Sequence, residues 1–141
     1  MFNGAPWSRN ITLNAASTAA QSLLAARTDF TPVLHTLRIT AVNPAAGAAV
    51  NCTVDFYDGT TATVIHTFRI GAGAAAAETV TRDQVVMRAP APSQSGGTAT
   101  AEKQYLIRAT LSAATLTSIN VYLCGEWHTI KSPTGTHSAT A

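Results

Sequence analysis

The sequence predicts an all-β fold, a single β-sandwich or jelly-roll-like domain of about seven short strands flanked by extended N- and C-terminal arms. Three observations carry this. Apolar and polar residues alternate with period two along most of the chain from Thr31 onward. Turn chemistry interrupts the alternation at Asn43-Pro44, Asp58-Gly59 and Pro90-Ala91-Pro92. No long apolar stripe at helical spacing is present to build βαβ units.

Residues 1–30 read as an N-terminal arm, 31–128 as the sandwich domain and 129–141 as a C-terminal tail. Within the arm, Asn10 to Asn14 alternates like a short strand. Ala15 to Arg27 has some helix propensity diluted by Ser and Thr, which fits a short helix or an irregular segment equally well. The first core strand, Val33 to Val42, opens after Pro32 and closes at Asn43-Pro44. Ala49 to Tyr57 follows, with Val50, Cys52, Val54 and Phe56 on one face. Asp58-Gly59 then supplies a positive-φ reversal into Thr63 to Ile70. Gly71 to Ala77 reads as a small-residue loop, Glu78 to Arg88 as a strand, and Ser93 to Thr100 as a polar, Gly-containing loop. Tyr105 to Leu111 and Ser118 to Trp127 complete the set. The heptads Val33-Leu34-His35-Thr36-Leu37-Arg38-Ile39 and Val64-Ile65-His66-Thr67-Phe68-Arg69-Ile70 match in residue class at every position. They read as twin strands with Val, His, Leu/Phe and Ile inward and Thr and Arg outward.

Composition narrows the function classes. Ala and Thr make up about a third of the 141 residues, charged residues only 11%, and seven of the nine basic residues are Arg. Such a surface is polar yet inexpensive to desolvate, as protein interfaces are, although GC-rich coding would also enrich Ala and Arg. A net charge of +2 without a basic cluster argues against nucleic acid as a partner. No segment has the length and apolarity of a membrane-spanning helix, and the first ten residues do not spell a secretory signal. Cys52 and Cys124, on different strands, are expected as free thiols.

No catalytic or cofactor-binding motif survives inspection. Gly71-Ala72-Gly73 precedes a strand-like segment and two prolines, not the helix a dinucleotide fingerprint requires. Asp55 and Asp58 are too few for a calcium loop and read as an exposed strand position and a turn residue. His35 and His66 lack a third ligand for a metal. The sequons Asn10-Ile11-Thr12 and Asn51-Cys52-Thr53 match glycosylation in spelling only. The candidate residues are therefore those of a protein interface. Arg38, Arg69 and Arg108 form a ladder suited to carboxylates if their strands share a sheet, with Tyr57 and Trp127 as aromatic anchors.

Val33 to Ile39, the run Val54-Asp55-Phe56-Tyr57-Asp58-Gly59-Thr60-Thr61 and the closing Ile119-Asn120-Val121-Tyr122-Leu123 with Glu126 resemble small β-sandwich virion proteins of tailed bacteriophages. The resemblance covers roughly Pro32 to Trp127. It implies a non-enzymatic virion protein made in the host bacterial cytoplasm, without cofactor or metal. Its partners would be the major capsid protein or another virion protein, together with further copies of itself in a closed oligomer such as a trimer. A capsid decoration (cement) protein, a head–tail, collar or tail-fibre component, and a carbohydrate-binding or adhesin module are the functions to be separated.

Overall fold

The computed structural model describes residues 5–27, 30–73, 78–82, 87–88, 94–95, 98–99 and 104–129. They form β1 (Ala5–Thr12), β2 (Gln21–Leu24), β3 (Phe30–Asn43), β4 (Val50–Tyr57), β5 (Ala62–Ile70), β6 (Glu78–Arg82), β7 (Met87–Arg88), β8 (Gln94–Ser95), β9 (Thr98–Ala99), β10 (Leu106–Leu111) and β11 (Ser118–Thr129). One sheet runs β1-β11-β3-β6, with β7 also on β3; the other runs β2-β10-β4-β5. All pairings are antiparallel. They are nested: β1 pairs with β11, β2 with β10, β3 with β6 and β7, and β4 with β5. A long hairpin rolled up on itself gives this order, which is that of a jelly roll. The predicted sandwich is thus present, and β8 and β9 form a small hairpin inside the expected polar loop.

The core lies between the two sheets and is filled by the alternating positions. Val50, Cys52, Val54 and Phe56 of β4 are fully buried, and they face Leu37, Ile39, Ile119, Val121 and Leu123 across one apolar cluster. Each large side chain so buried contributes about 1.5–3 kcal/mol. At the hairpin after β4, Gly59 takes φ 97°, a conformation that suits glycine. Asp58 Oδ1 accepts hydrogen bonds from the N–H groups of Thr60 (2.8 Å) and Thr61 (2.6 Å).

Cys52 is in the core while Cys124 lies on the outer side of the other sheet, and both thiols are free. Burial pushes the Cys52 thiol from 9.0 up to about 12. The folded state therefore holds this proton more tightly than the unfolded chain. Its contribution is complete below pH 9 and is lost as the pH rises toward 12, by about 4 kcal/mol at most. Cys52→Ala should flatten this part of the alkaline limb while costing about 1 kcal/mol at pH 7 through the lost heavy atom. Denaturant melts of both proteins from pH 7 to 11 check this. Parallel alkaline limbs would contradict it.

Residues 5–24 are not an arm. β1 pairs along its whole length with β11, and Trp7, Leu13, Leu23 and Leu24 are buried in the core. Nor is there a helix between Ala15 and Arg27. Asn14 Oδ1 accepts the Ala16 N–H (3.0 Å), while Asn14 N and O bond the Gln21 side-chain amide (2.8 and 3.0 Å). These local bonds compete with helical ones and turn the chain into β2. At the other end β11 runs on to Thr129, and residues 130–141 of the expected tail lie outside the described residues.

The twin heptads also differ from expectation. They lie in opposite sheets, and each carries a bulge that breaks the period-two pattern. In β3 the partners step from Thr36↔Cys124 to Leu34↔Gly125, leaving His35 as the extra residue and exposed. In β5 they step from His66↔Val54 to Val64↔Asp55, leaving Ile65 as the extra residue. His66 is half-buried, edge-on to Phe68 at 4.6 Å. The two histidines therefore occupy separate sheets and do not point together into the core. Among the described residues no group of three His, Cys, Asp or Glu is placed to hold a metal ion.

Candidate protein-binding face

The predicted arginine ladder does not exist as one surface. Arg38 is on β3 in the five-stranded sheet, whereas Arg69 and Arg108 are on β5 and β10 in the four-stranded sheet. Arg69 pairs with Asn51 and Arg108 with Asp55, four positions apart on the intervening β4, about 13 Å at the usual strand rise.

Arg108 is committed to its own chain. Its Nε donates to Asp55 Oδ1 at 2.8 Å, and its guanidinium lies 3.6 Å from the centroid of the Tyr57 ring. Asp55, expected to be exposed, is 4% exposed beneath this cap. Tyr57 is half-buried and donates its phenol proton to Gly59 O at 2.9 Å, bracing the β4–β5 hairpin. Trp127 is buried in the core cluster, 6.2 Å from Trp7, with Arg27 5.9 Å from its ring. Arg108, Tyr57 and Trp127 thus hold the fold together, which leaves Arg38 and Arg69 as exposed candidates.

Around Arg38 the strands assemble a surface that separate stretches of sequence do not reveal. The outward positions of β1, β11 and β3 align in three rows: Thr12–Asn120–Thr40, Asn10–Tyr122–Arg38 and Ser8–Cys124–Thr36. The Asn120 amide donates to Asn10 Oδ1 (2.6 Å), and Thr12 Oγ1 donates to Asn120 Oδ1 (3.3 Å), fixing one flank. Arg38 lies 5.4 Å from the centroid of the Tyr122 ring at the centre. The hydrogen-bonded Cys124 side chain beside Tyr122 holds its phenol above the ordinary tyrosine value, so it is neutral at physiological pH.

The patch carries one charge among nine residues, and its side chains other than Tyr122 and Arg38 are short. Tyr and Arg are residue types that dominate interface hot spots, and the uncharged neighbours around them need only hydrogen-bond partners, not counter-charges, to be buried. Chemically, the patch offers a row of short polar side chains around a phenol and an exposed guanidinium that also interacts within its own chain. Signals for it were present in the outward row of the last strand, but the neighbours are 80 or more residues away in sequence and only the pairing joins them.

No family model and no curated protein matches the chain. Among solved structures, a chain from the structure of the infectious bursal disease virus Gx strain aligns at 11% identity with a TM-score of 0.28. The alignment covers 88% of this chain and 37% of that chain, so the present chain spans little more than a third of its length. A likeness at that level carries no argument about what this chain does.

Proposed function

We propose that the protein is a non-enzymatic structural component of a virion, a phage capsid decoration protein that binds the outer shell and stabilises it through buried interface. The three-row patch centred on Tyr122 and Arg38 carries this reading, because its low charge and its hot-spot residues suit a protein partner. Jelly-roll order adds a fold-level analogy, since such domains recur in viral capsids and also in lectins. The phage resemblance of Val54 to Thr61 and Ile119 to Leu123 points the same way. In this reading the partner is the major capsid protein, the site of action is the virion, and synthesis takes place in the bacterial cytoplasm.

A carbohydrate-binding role is less well supported by the same patch. A sugar stacks on an open aromatic face, whereas Tyr122 is half-buried and has the Arg38 guanidinium over its ring. Quantitative mass spectrometry of the purified source particle tests the assignment. A copy number matching the shell lattice is expected. A copy number fitting one vertex or one tail would assign the chain to the neck or fibre instead, and its absence from particles would overturn the virion role.

A further inference from the structure

Among the described residues the two sheets have four margins, and three are blunted against pairing with another chain. β1 carries Pro6, and it places Arg9 opposite Leu123, in a row that otherwise faces the core. Prolines and inward-row charges are known edge protections. The far margin of that sheet is split into β6 and β7, five and two residues long. β2 is four residues long. β5 differs: it is nine residues long, has no proline, carries Arg69 as its single full charge, and its one edge irregularity is the bulge at Ile65. Val64, on its outward row, is 53% exposed, the one large hydrophobic so exposed among the described residues.

We propose that β5 is a self-association edge, pairing antiparallel with β5 of a second copy about a twofold axis between Ile65 and His66. This would join two four-stranded sheets into one continuous sheet. Residues facing each other across an antiparallel pair must point to the same side. The bulge at Ile65 reverses the alternation at mid-strand, so Val64 and Thr67 are both outward, as are Ala62 and Arg69. Pairing about the proposed axis sets Val64 against Thr67, Ala62 against Arg69 and Thr63 against Phe68, each matched in side, over eight residues.

Charge selects this register over the shorter one centred on Phe68. There, Arg69 would oppose Thr67 and the two Arg69 side chains would be diagonal neighbours, about 7–8 Å apart. That is within a Debye length at physiological salt. About the proposed axis they are seven positions apart, roughly 20 Å. A twofold pair of this kind is an isologous, closed interface, so it ends at a dimer.

The inference rests on the sheet edge and is independent of the virion role. Light scattering of the full chain over a concentration series should show a monomer–dimer equilibrium. The double variant Val64→Lys/Thr67→Lys should remain monomeric at every concentration and stay folded, with a Tm within a few degrees of wild type at concentrations where wild type is itself monomeric. Ala62→Glu sets a carboxylate against Arg69 of the other copy at both ends and should tighten the dimer about twofold to tenfold. Ala62→Lys should weaken it by a similar factor. A wild-type monomer at all concentrations, a closed trimer, a dimer that survives the double lysine variant, or Ala62 variants that shift the equilibrium in one direction would each overturn the proposal. A monomer that still decorates shells overturns this inference alone; a dimer that ignores shells overturns the virion role alone.

Discussion

Gly125→Ala should destabilise the protein by about 3 kcal/mol or more, the upper range for overpacking, because the added atom has backbone on one side and a buried ring on the other. Gly125 sits where the β3 bulge begins, paired with Leu34 on one side and Trp7 on the other. A Cβ there would run into the Val33 carbonyl oxygen, with Trp7 Cζ2 at 2.8 Å. The carbonyl belongs to the longest strand and cannot rotate away without breaking its ladder. Trp7 cannot retreat either, because it is 6% exposed and packs at 6.2 Å against Trp127. The expected fall in Tm is about 10 °C for a domain of this size. Trp7→Leu/Gly125→Ala should recover little, since the carbonyl clash remains. Thermal melts of the three proteins decide the matter, and a Gly125→Ala protein melting within about 2 °C of wild type would show that the bulge is softer than described.

Arg108→Ala is the second large effect, expected at about 2–4 kcal/mol. Removing one member of a buried ion pair leaves the other charge without compensation and typically costs 3–5 kcal/mol. The Arg108 side chain is 23% exposed, so water can partly replace it and the expected cost falls about 1 kcal/mol below that range. Loss of the stacking on Tyr57 adds to the cost. Asp55→Leu/Arg108→Leu should lose less than the two single variants combined, because the double change removes both charges together. Denaturant unfolding of the cycle checks this. Strict additivity would show that Asp55 and Arg108 do not act as a pair.

Both predictions concern features whose legibility differed. Val50, Cys52, Val54 and Phe56 announced their shared face, and Asp58-Gly59 announced its turn, because alternation and turn chemistry are local. β1 and β2 were harder to read. Trp7, Leu13, Leu23 and Leu24 are scattered among Ser, Thr and Ala, and only pairing with β11 and β10 gives them a common direction. Likewise counting in twos sends His35 and Val64 inward, and it fails at both because each lies at or beyond its strand's bulge; His66, on the near side, keeps the inward row opposite Val54. The bulges themselves depend on partners such as Gly125, which strand propensity alone does not single out. Asp55 was mistaken for a solvated position because Arg108, its cover, lies 53 residues away on β10. Arg38 and Tyr122, from sequence segments far apart, become cross-strand neighbours only through the β3–β11 register.

That central patch is the heart of the functional account, and binding to shells lacking the protein tests it most directly. Purified wild type and Arg38→Glu are mixed separately with undecorated shells of the source particle, and occupancy is measured alongside the Tm of each free protein. Arg38→Glu gives up the Tyr122 contact and Arg38's other bonding within the chain, so a fall in Tm of a few degrees is expected, with the protein still folded at the binding temperature. A rim or hot-spot charge reversal sets like charge against a partner's carboxylates, and the account predicts shells left largely bare by Arg38→Glu where wild type saturates them. An Arg38→Glu protein that saturates the shells as wild type does would contradict it.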